Sequence, residues 1–346
     1  MLRPLPITIS VVSPSVQQSA QQQSLQEMSL DPLLVVPRPS PGGLDEAAQR
    51  LSESLLKLAS VVIAFSGGVD SALLAYVALK SLGPDRVLAV TADSDSLADG
   101  ELDHCRSTAA EWGLPWRSVQ TREIDNPEYR VNDKDRCFWC KTALMDSLIP
   151  IAVQRRATVI LGVNCDDLGD HRPGQRAAQE RGASFPLVQA GLNKQLIRGL
   201  SRHYALAVWD KPAMPCLASR IPYGTAVSVE LLRSVDRSEA AIRALGFSDV
   251  RVRHYGETAR IELPSAELPR AAQQAEQMVA ALTQLGFSYV TLDLAGLQSG
   301  NLNRSLGIGV SEAKVNSNIP SANPRSAASI LPPVQAVDVG TGNEHD

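Results

Sequence analysis

Ser66-Gly67-Gly68-Val69-Asp70-Ser71 joins an apolar run, Ser60 to Phe65, to a stretch with helical spacing. Two glycines let the backbone turn tightly and let an anion come close. The helix start that follows offers unpaired N–H groups and the positive end of a helix dipole. The hydroxyls of Ser66 and Ser71 add donors. A carboxylate in such a place makes sense once a cation is added: Asp70 would help to hold Mg²⁺, which offsets the charge of bound phosphates. The Gly-Lys-[Ser/Thr] ending of a Walker loop is missing, and so is the third glycine of the dinucleotide fingerprint. The bland alternative is a strand-to-helix turn that binds nothing; spacing, residue types and strand context speak against it.

A second set of reactive groups is the thiols. The five cysteines, Cys105, Cys137, Cys140, Cys165 and Cys216, are too few and too scattered for a disulfide scaffold, and suggest thiol or metal chemistry instead. Cys137 and Cys140 form a C-x-x-C pair, a good bite for a metal that supplies two ligands only. Cys105 reads as a small buried hydrophobe in a helix; Cys165 lies in an Asn-Cys-Asp-Asp loop and carries no assigned role. Two further blocks stand out. One runs from Gly162 to Gly174 and includes Asp166, Asp167, Asp170, His171 and Arg172; the other runs from Asp210 to Gly224 and includes Cys216 and Arg220. Arg251 and Arg253 share parity on a short strand, hence a face, and two arginines on one face suit a nucleotide phosphate or a carboxylate. The alternative there is a solvated strand face. Asp170, Arg172 and Arg176 are candidate substrate or ATP contacts. Lys141 is a candidate for facing the phosphates. Trp139 would stack on a ring or pack in the core.

The elements that must position these groups alternate. Residues 60–65, 86–91, 116–120 and 158–163 read as strands, and 70–82, 97–112 and 141–154 as helices. Strand and helix in this order predict a parallel sheet with helices on both faces. Ligands in such sheets collect at the carboxyl ends of the strands, so the 162–174 block should face the same crevice as the phosphate loop. After about Pro222 the pattern becomes helix 228–245, strands 250–254 and 259–263, helix 266–285 and strand 287–294, a second and smaller α/β unit. Residues 1–44 and the tail from about 308 are rich in Gln, Ser and Pro and are expected to be disordered.

Composition bounds the class. The chain has 346 residues, 33 Lys+Arg against 37 Asp+Glu and a net charge of −4. This argues against a strongly basic nucleic-acid binder. No stretch approaches the roughly 20 apolar residues of a membrane span. The opening residues lack a convincing signal-peptide core, so the expected location is cytoplasmic.

The phosphate loop resembles the PP-loop of ATP pyrophosphatases, which split ATP into AMP and pyrophosphate. With the 162–174 block and Pro215-Cys216-Leu217-Ala218-Ser219-Arg220, the sequence is similar to the LarE family of ATP-dependent sulfur transferases over roughly residues 45–307. The closing Leu292-Asp293-Leu294 and Gly300-Asn301-Leu302-Asn303 also fit. The resemblance implies an α/β fold: a Rossmann-like PP-loop domain of the adenine nucleotide alpha hydrolase type over 45–222, and a small α/β domain over 223–307. It implies ATP bound at Ser66 to Ser71 with Mg²⁺ at Asp70. The implied reaction adenylates a carboxylate of pyridinium-3,5-biscarboxylic acid mononucleotide; sulfur displaces AMP and leaves a thiocarboxylate for nickel-pincer nucleotide synthesis. Arg251, Arg253, Glu262, Arg220, Asp170 and Arg172 are the substrate contacts it implies.

Cys216 matches the cysteine that some family members sacrifice, ending as dehydroalanine. With Cys137 and Cys140 it would make three thiolates, which resembles the branch of the family that binds a 4Fe–4S cluster. Zinc with a fourth ligand such as His171, a redox or persulfide pair, and two ordinary thiols remain open alternatives. The family also implies a homo-oligomer. Rival functions are another PP-loop enzyme, such as a tRNA thiolase, and a non-catalytic iron–sulfur protein that only binds ATP. The mild acidity and the lack of an added nucleic-acid module speak against the first.

Overall fold

A computed structural model describes residues 43–168, 173–212 and 215–298. The expected extension and tail lie outside these residues, save Gly43 and Leu44. Helix α1 (Leu44–Leu56), unassigned in the sequence reading, buries Ala47, Leu51 and Leu55 along one stripe. The central sheet is built from β1 (Val61–Ala64), β2 (Val87–Asp93), β3 (Trp116–Gln120) and β4 (Thr158–Ile160). Its order is β3-β2-β1-β4, and all pairs are parallel. Helices α2 (Val69–Leu82), α3 (Glu101–Trp112), α4 (Pro127–Arg130) and α5 (Arg136–Arg155) intervene in chain order.

The continuous apolar runs mark strands covered on both faces. Val61 and Ile63 join one core with residues of α1, α2 and α3. Val62 points the other way, into a core with Met145 and Leu148 of α5. Three boundaries differ from the sequence reading by three residues or more. Helix α3 starts at Glu101, because Gly100 takes a left-handed conformation at φ 80°. Strand β4 ends at Ile160; the chain then bonds across to Ser184, where Leu161 N donates to its carbonyl. Helix α5 starts at Arg136, so Cys137 and Cys140 lie within its first five residues, three apart on one face.

Three more helices follow: α6 (Pro173–Glu180), α7 (Pro186–Gln189) and α8 (Lys194–His203). Then come α9 (Val229–Ala244), β5 (Arg251–Tyr255) and β6 (Thr258–Glu262), with the last two forming an antiparallel hairpin. The expected helix over 266–285 is two pieces, α10 (Leu268–Gln273) and α11 (Ala275–Thr283). Pro269 lacks an N–H and is accommodated in the first turn of α10, while the break between the pieces falls at Gln274, whose backbone leaves the helical range at φ −102° and ψ 18°. Strand β7 (Tyr289–Leu292) adds to β6 in parallel. Both sheets lie in one compact unit. Among the described residues, no helix is long and apolar enough to cross a membrane.

His254 sits on the core-facing side of β5, its ring 5.1 Å from that of Phe287. Its Nδ1 is buried with no hydrogen-bond partner. Burial lowers its pKa below the usual value near 6.5, against a smaller opposing effect of a backbone hydrogen bond. The folded chain therefore holds this imidazole neutral while the unfolded chain takes up a proton below 6.5. Stability is expected to fall as pH drops from 6.5 through the lowered folded pKa. In urea titrations at pH 7.5 and 5.5, His254→Leu should lose less stability on acidification than the unsubstituted chain; an equal loss would remove His254 as the cause.

Candidate active site

The phosphate loop leaves β1 and closes on itself. Ser66 N donates to Ser71 Oγ at 3.2 Å, and Ser71 Oγ donates to Gly68 O at 3.0 Å. Gly67 takes φ +68°. A Cβ there would stand 2.9 Å from Cys105 Sγ and 3.2 Å from His104 Cδ2, so glycine lets α3 close behind the loop. No side chain caps the N-terminus of α2. Its first N–H groups are thus left for an anion. His104 Nε2 is buried without a partner beside this loop. Burial first, then the Lys211 ammonium, lowers the His104 pKa, while Glu101 opposes.

Asp70 does not stand alone. Lys194 Nζ forms an ion pair with Asp70 Oδ2, and Asn164 Nδ2 donates to Asp70 Oδ1 at 3.2 Å. Asn164 is fixed in turn: its N–H donates to Asp167 Oδ2 at 3.0 Å and its Oδ1 accepts from Asp166 N at 2.9 Å. Asp166 Oδ2 accepts from Lys194 N at 2.8 Å, which aims this first residue of α8. Lys194 was not singled out from the sequence. Its one local signal is Asn193, whose side chain caps α8 through Leu196 N. The Asp70 carboxylate is the hard oxygen donor that Mg²⁺ takes, and it fits that ion in kind.

The 162–174 block touches both halves of the site. A Cβ on Gly162 would stand 2.9 Å from Ser71 N and 3.1 Å from the Asp70 carbonyl carbon. A Cβ on Gly174 would stand 2.9 Å from Cys137 O. The block therefore packs on the phosphate loop at one end and on the C-x-x-C turn at the other. Asp170, His171 and Arg172 lie outside the described residues. Arg176 lies over the Phe138 ring, 5.0 Å from its centroid.

Cys216 is exposed, as is Cys137, and Cys140 is half-buried. Desolvation raises the Cys137 thiol, with Arg136 opposing and Cys216 adding to the rise. Desolvation, then Glu123, then Cys216 push Cys140 up strongly. The three thiols thus feel one another. Among the described residues, no group of three His, Cys, Asp or Glu is placed to hold one metal ion. A 4Fe–4S cluster asks something different, a separate thiolate for each ligated iron. The three thiols match that donor in kind and would serve three of the four irons.

The Cys216 segment is gripped by arginines. Arg220 Nη1 donates to Pro215 O and, at 3.2 Å, to Cys216 O. Its Nε and Nη2 pair with Glu239 at 2.7 and 3.1 Å. Arg253 Nη1 donates to Ser219 O at 2.7 Å, while its Nε and Nη2 pair with Glu262 at 2.9 and 2.8 Å. Arg136 Nη1 donates to Ala218 O at 2.8 Å. Arg220, Arg253 and Arg136 are 3–4% exposed, and Glu239 and Glu262 are fully buried. Arg251 is buried too, with Nη1 donating to Gln298 O at 3.1 Å. The arginine face expected from parity is therefore an interior one. Leu217 N donates to Ser96 O at 2.9 Å. Upstream, Lys211 pairs with Glu101 at 2.9 Å, one turn of α3 before His104.

Residues 48–134 match the family model described as NAD synthase. The chain is 44% identical over 266 residues to an uncharacterized protein of Synechocystis sp., covering 76% of this chain and 99% of that one. It is 36% identical over 257 residues to the pyridinium-3,5-bisthiocarboxylic acid mononucleotide synthase of Lactiplantibacillus plantarum, covering 74% and 93%. An uncharacterized protein of Methanocaldococcus jannaschii is 25% identical over 235 residues, covering 68% and 89%.

The close approach of Gly162 to Ser71 yields a test. In Gly162→Ala the added methyl meets backbone, so the loop must shift. ATP affinity measured by calorimetry should drop roughly tenfold or more, about 1.4 kcal/mol, with the circular dichroism spectrum retained. Unchanged affinity would mean that the loop does not bind ATP as drawn.

Proposed function

This chain belongs to the LarE family of PP-loop proteins, and on that footing we propose that it is an ATP-dependent sulfurtransferase acting on pyridinium-3,5-biscarboxylic acid mononucleotide. The observation that carries the reading is the 162–174 block, whose two ends pack on the phosphate loop and on the Cys137 turn. Activation and sulfur delivery act on one carbon, so their machinery must share one crevice.

In the proposed reaction the α2 N-terminus and the loop hydroxyls bind the ATP phosphates. Asp70 would hold Mg²⁺, which supplies charge neutralisation at the phosphates when bound. Lys194, now on Asp70, is placed to turn to the phosphates once the cation takes its carboxylate. A substrate carboxylate oxygen attacks the α-phosphorus; a P–O bond forms, and pyrophosphate leaves with the electrons of the broken one. The product is an acyl-adenylate, a far better electrophile than a carboxylate. In the route that spends its own thiolate, the Cys216 sulfur attacks the acyl carbon, a C–S bond forms, and AMP departs with the C–O electrons. If the sulfur is that of Cys216 itself, a base removes its α-proton. The Cβ–Sγ bond then breaks, giving the thiocarboxylate and dehydroalanine. Cys137, Cys140 and Cys216 would hold a 4Fe–4S cluster, which supplies a replaceable sulfide at the iron without a protein thiolate. The substrate phosphate is assigned to the side of the crevice bordered by the small sheet, where Arg251 and Arg253 act from the interior by holding Gln298 O and Ser219 O.

The deciding experiment is anaerobic. Reconstituted protein receives MgATP and the dicarboxylate mononucleotide, and AMP, thiocarboxylate and polypeptide mass are followed together. Cys216→Ala should still release AMP in the presence of substrate but form no thiocarboxylate. Thiolation by this variant at the unsubstituted rate would overturn the role of Cys216. A polypeptide lighter by one H₂S after turnover would identify Cys216 as the sulfur source, and an unchanged mass would identify a sulfide carried by the cluster.

A further inference from the structure

The arginines around the Cys216 segment differ in what answers their charge. Arg220 and Arg253 each face a buried carboxylate, Glu239 and Glu262. Arg136 instead donates from Nη1 to two amide oxygens, Asn132 Oδ1 at 2.5 Å and Ala218 O at 2.8 Å, with its guanidinium 5.7 Å from the Tyr223 ring centroid. It sits immediately before Cys137 at the start of α5.

Asn132 makes this a strap and not a single bond. It is fully buried, in a left-handed conformation at φ 58°. Its Nδ2 donates to Pro222 O and to Thr225 O, both at 2.8 Å. Its carbonyl accepts from Gly224 N at 3.1 Å, and Arg130 O accepts from Val227 N at 2.9 Å. Residues 130–136 and 218–227 are thus laced together along their length. Arg136 is the stitch at the cysteine end: it lies between the turn that carries Cys137 and Cys140 and the segment that carries Cys216.

We propose that Arg136 is a positioning residue, the clamp that fixes the Cys216 thiol against Cys137 and Cys140. The inference rests on the sulfur-transfer reading and adds to it the residue that sets the spacing of the three thiols. The clamp needs a cationic donor, because a neutral chain of the same bulk leaves Asn132 Oδ1 without one and leaves Ala218 O only its local bond from Ile221 N, with nothing tying it to α5. Lysine brings one ammonium that reaches in the same direction, and so should restore part of the grip.

The test uses the full chain without cluster, kept anaerobic, and dibromobimane as a short bridge between thiols. Cross-links between Cys216 and Cys137 or Cys140 are counted by peptide mass mapping. Arg136→Met should lower their yield about fivefold or more, since thiols that point apart are not bridged. Substrate-dependent AMP release should stay within about a factor of two, because the phosphate loop is untouched. Arg136→Lys should recover at least about half of the cross-linking, as the cationic donor returns. The clamp is overturned if the unsubstituted chain does not cross-link, if Arg136→Met cross-links as well as it does, if lysine and methionine lose equally, or if AMP release falls in step. Cross-linking is read without substrate, so it separates the two ideas. A chain that cross-links in an Arg136-dependent way yet thiolates nothing supports the clamp and overturns the sulfur-transfer reading alone.

Discussion

Four backbone carbonyls between Pro215 and Ser219 accept from buried guanidinium groups, and this arrangement governs much of the rest of the structure. A buried cation is costly unless an anion or well-placed acceptors meet it. Glu239 answers Arg220, and the same carboxylate takes Arg243 at 2.9 Å and Val252 N at 3.1 Å. One side chain of α9 therefore ties the cysteine segment, its own helix and β5. Glu262 does the equivalent for β6, pairing with Arg253 and, at 3.1 Å, with Arg260. Charge fastens the small sheet to the site, beside an apolar cluster in which Leu217, Ala218 and Ile221 pack on Leu232 and Val235 of α9.

On the nucleotide side the governing constraint is space. Gly67, Gly162 and Gly174 each stand where a methyl group would meet a neighbour at 2.9 Å. These approaches bring α3 behind the phosphate loop, the 162–174 block onto Ser71, and α6 onto the Cys137 turn. Lys194 on Asp70 completes the picture, since the acidic residue of the loop carries a counter-charge before any nucleotide arrives. In the proposed reaction, binding of a magnesium nucleotide would exchange one cation for another instead of filling an unbalanced site.

Much of this was readable in the sequence where the signal is local. The apolar runs at 60–65 and 86–91 gave buried parallel strands because period and length are written in consecutive residues. The phosphate loop was visible for the same reason. The chain of ion pairs was not: Lys194 and Asp70 are 124 residues apart, and nothing near either one announces the other. Parity put Arg251 and Arg253 on one face correctly, but their burial depends on Glu262, which reaches them only through the hairpin register. The short helices α6 to α8 escaped because four to ten residues give too few periods to read. The C-x-x-C pair was found by spacing, while its place at the start of α5 came from the helix starting five residues earlier than expected.

The ion pairs that hold the small sheet also bear on how such a protein is inherited. A domain that meets its neighbour through apolar patches can be traded, lost or replaced while the remainder keeps folding. Here the carboxylates lie on α9 and β6, and one of the cations they satisfy, Arg220, lies in the cysteine segment. A chain that shed everything from α9 onward would keep that cation and lose its anion. The two parts must therefore change together: a substitution that removes Glu239 strands a buried cation, and one that removes Arg220 leaves a buried anion short of a cation.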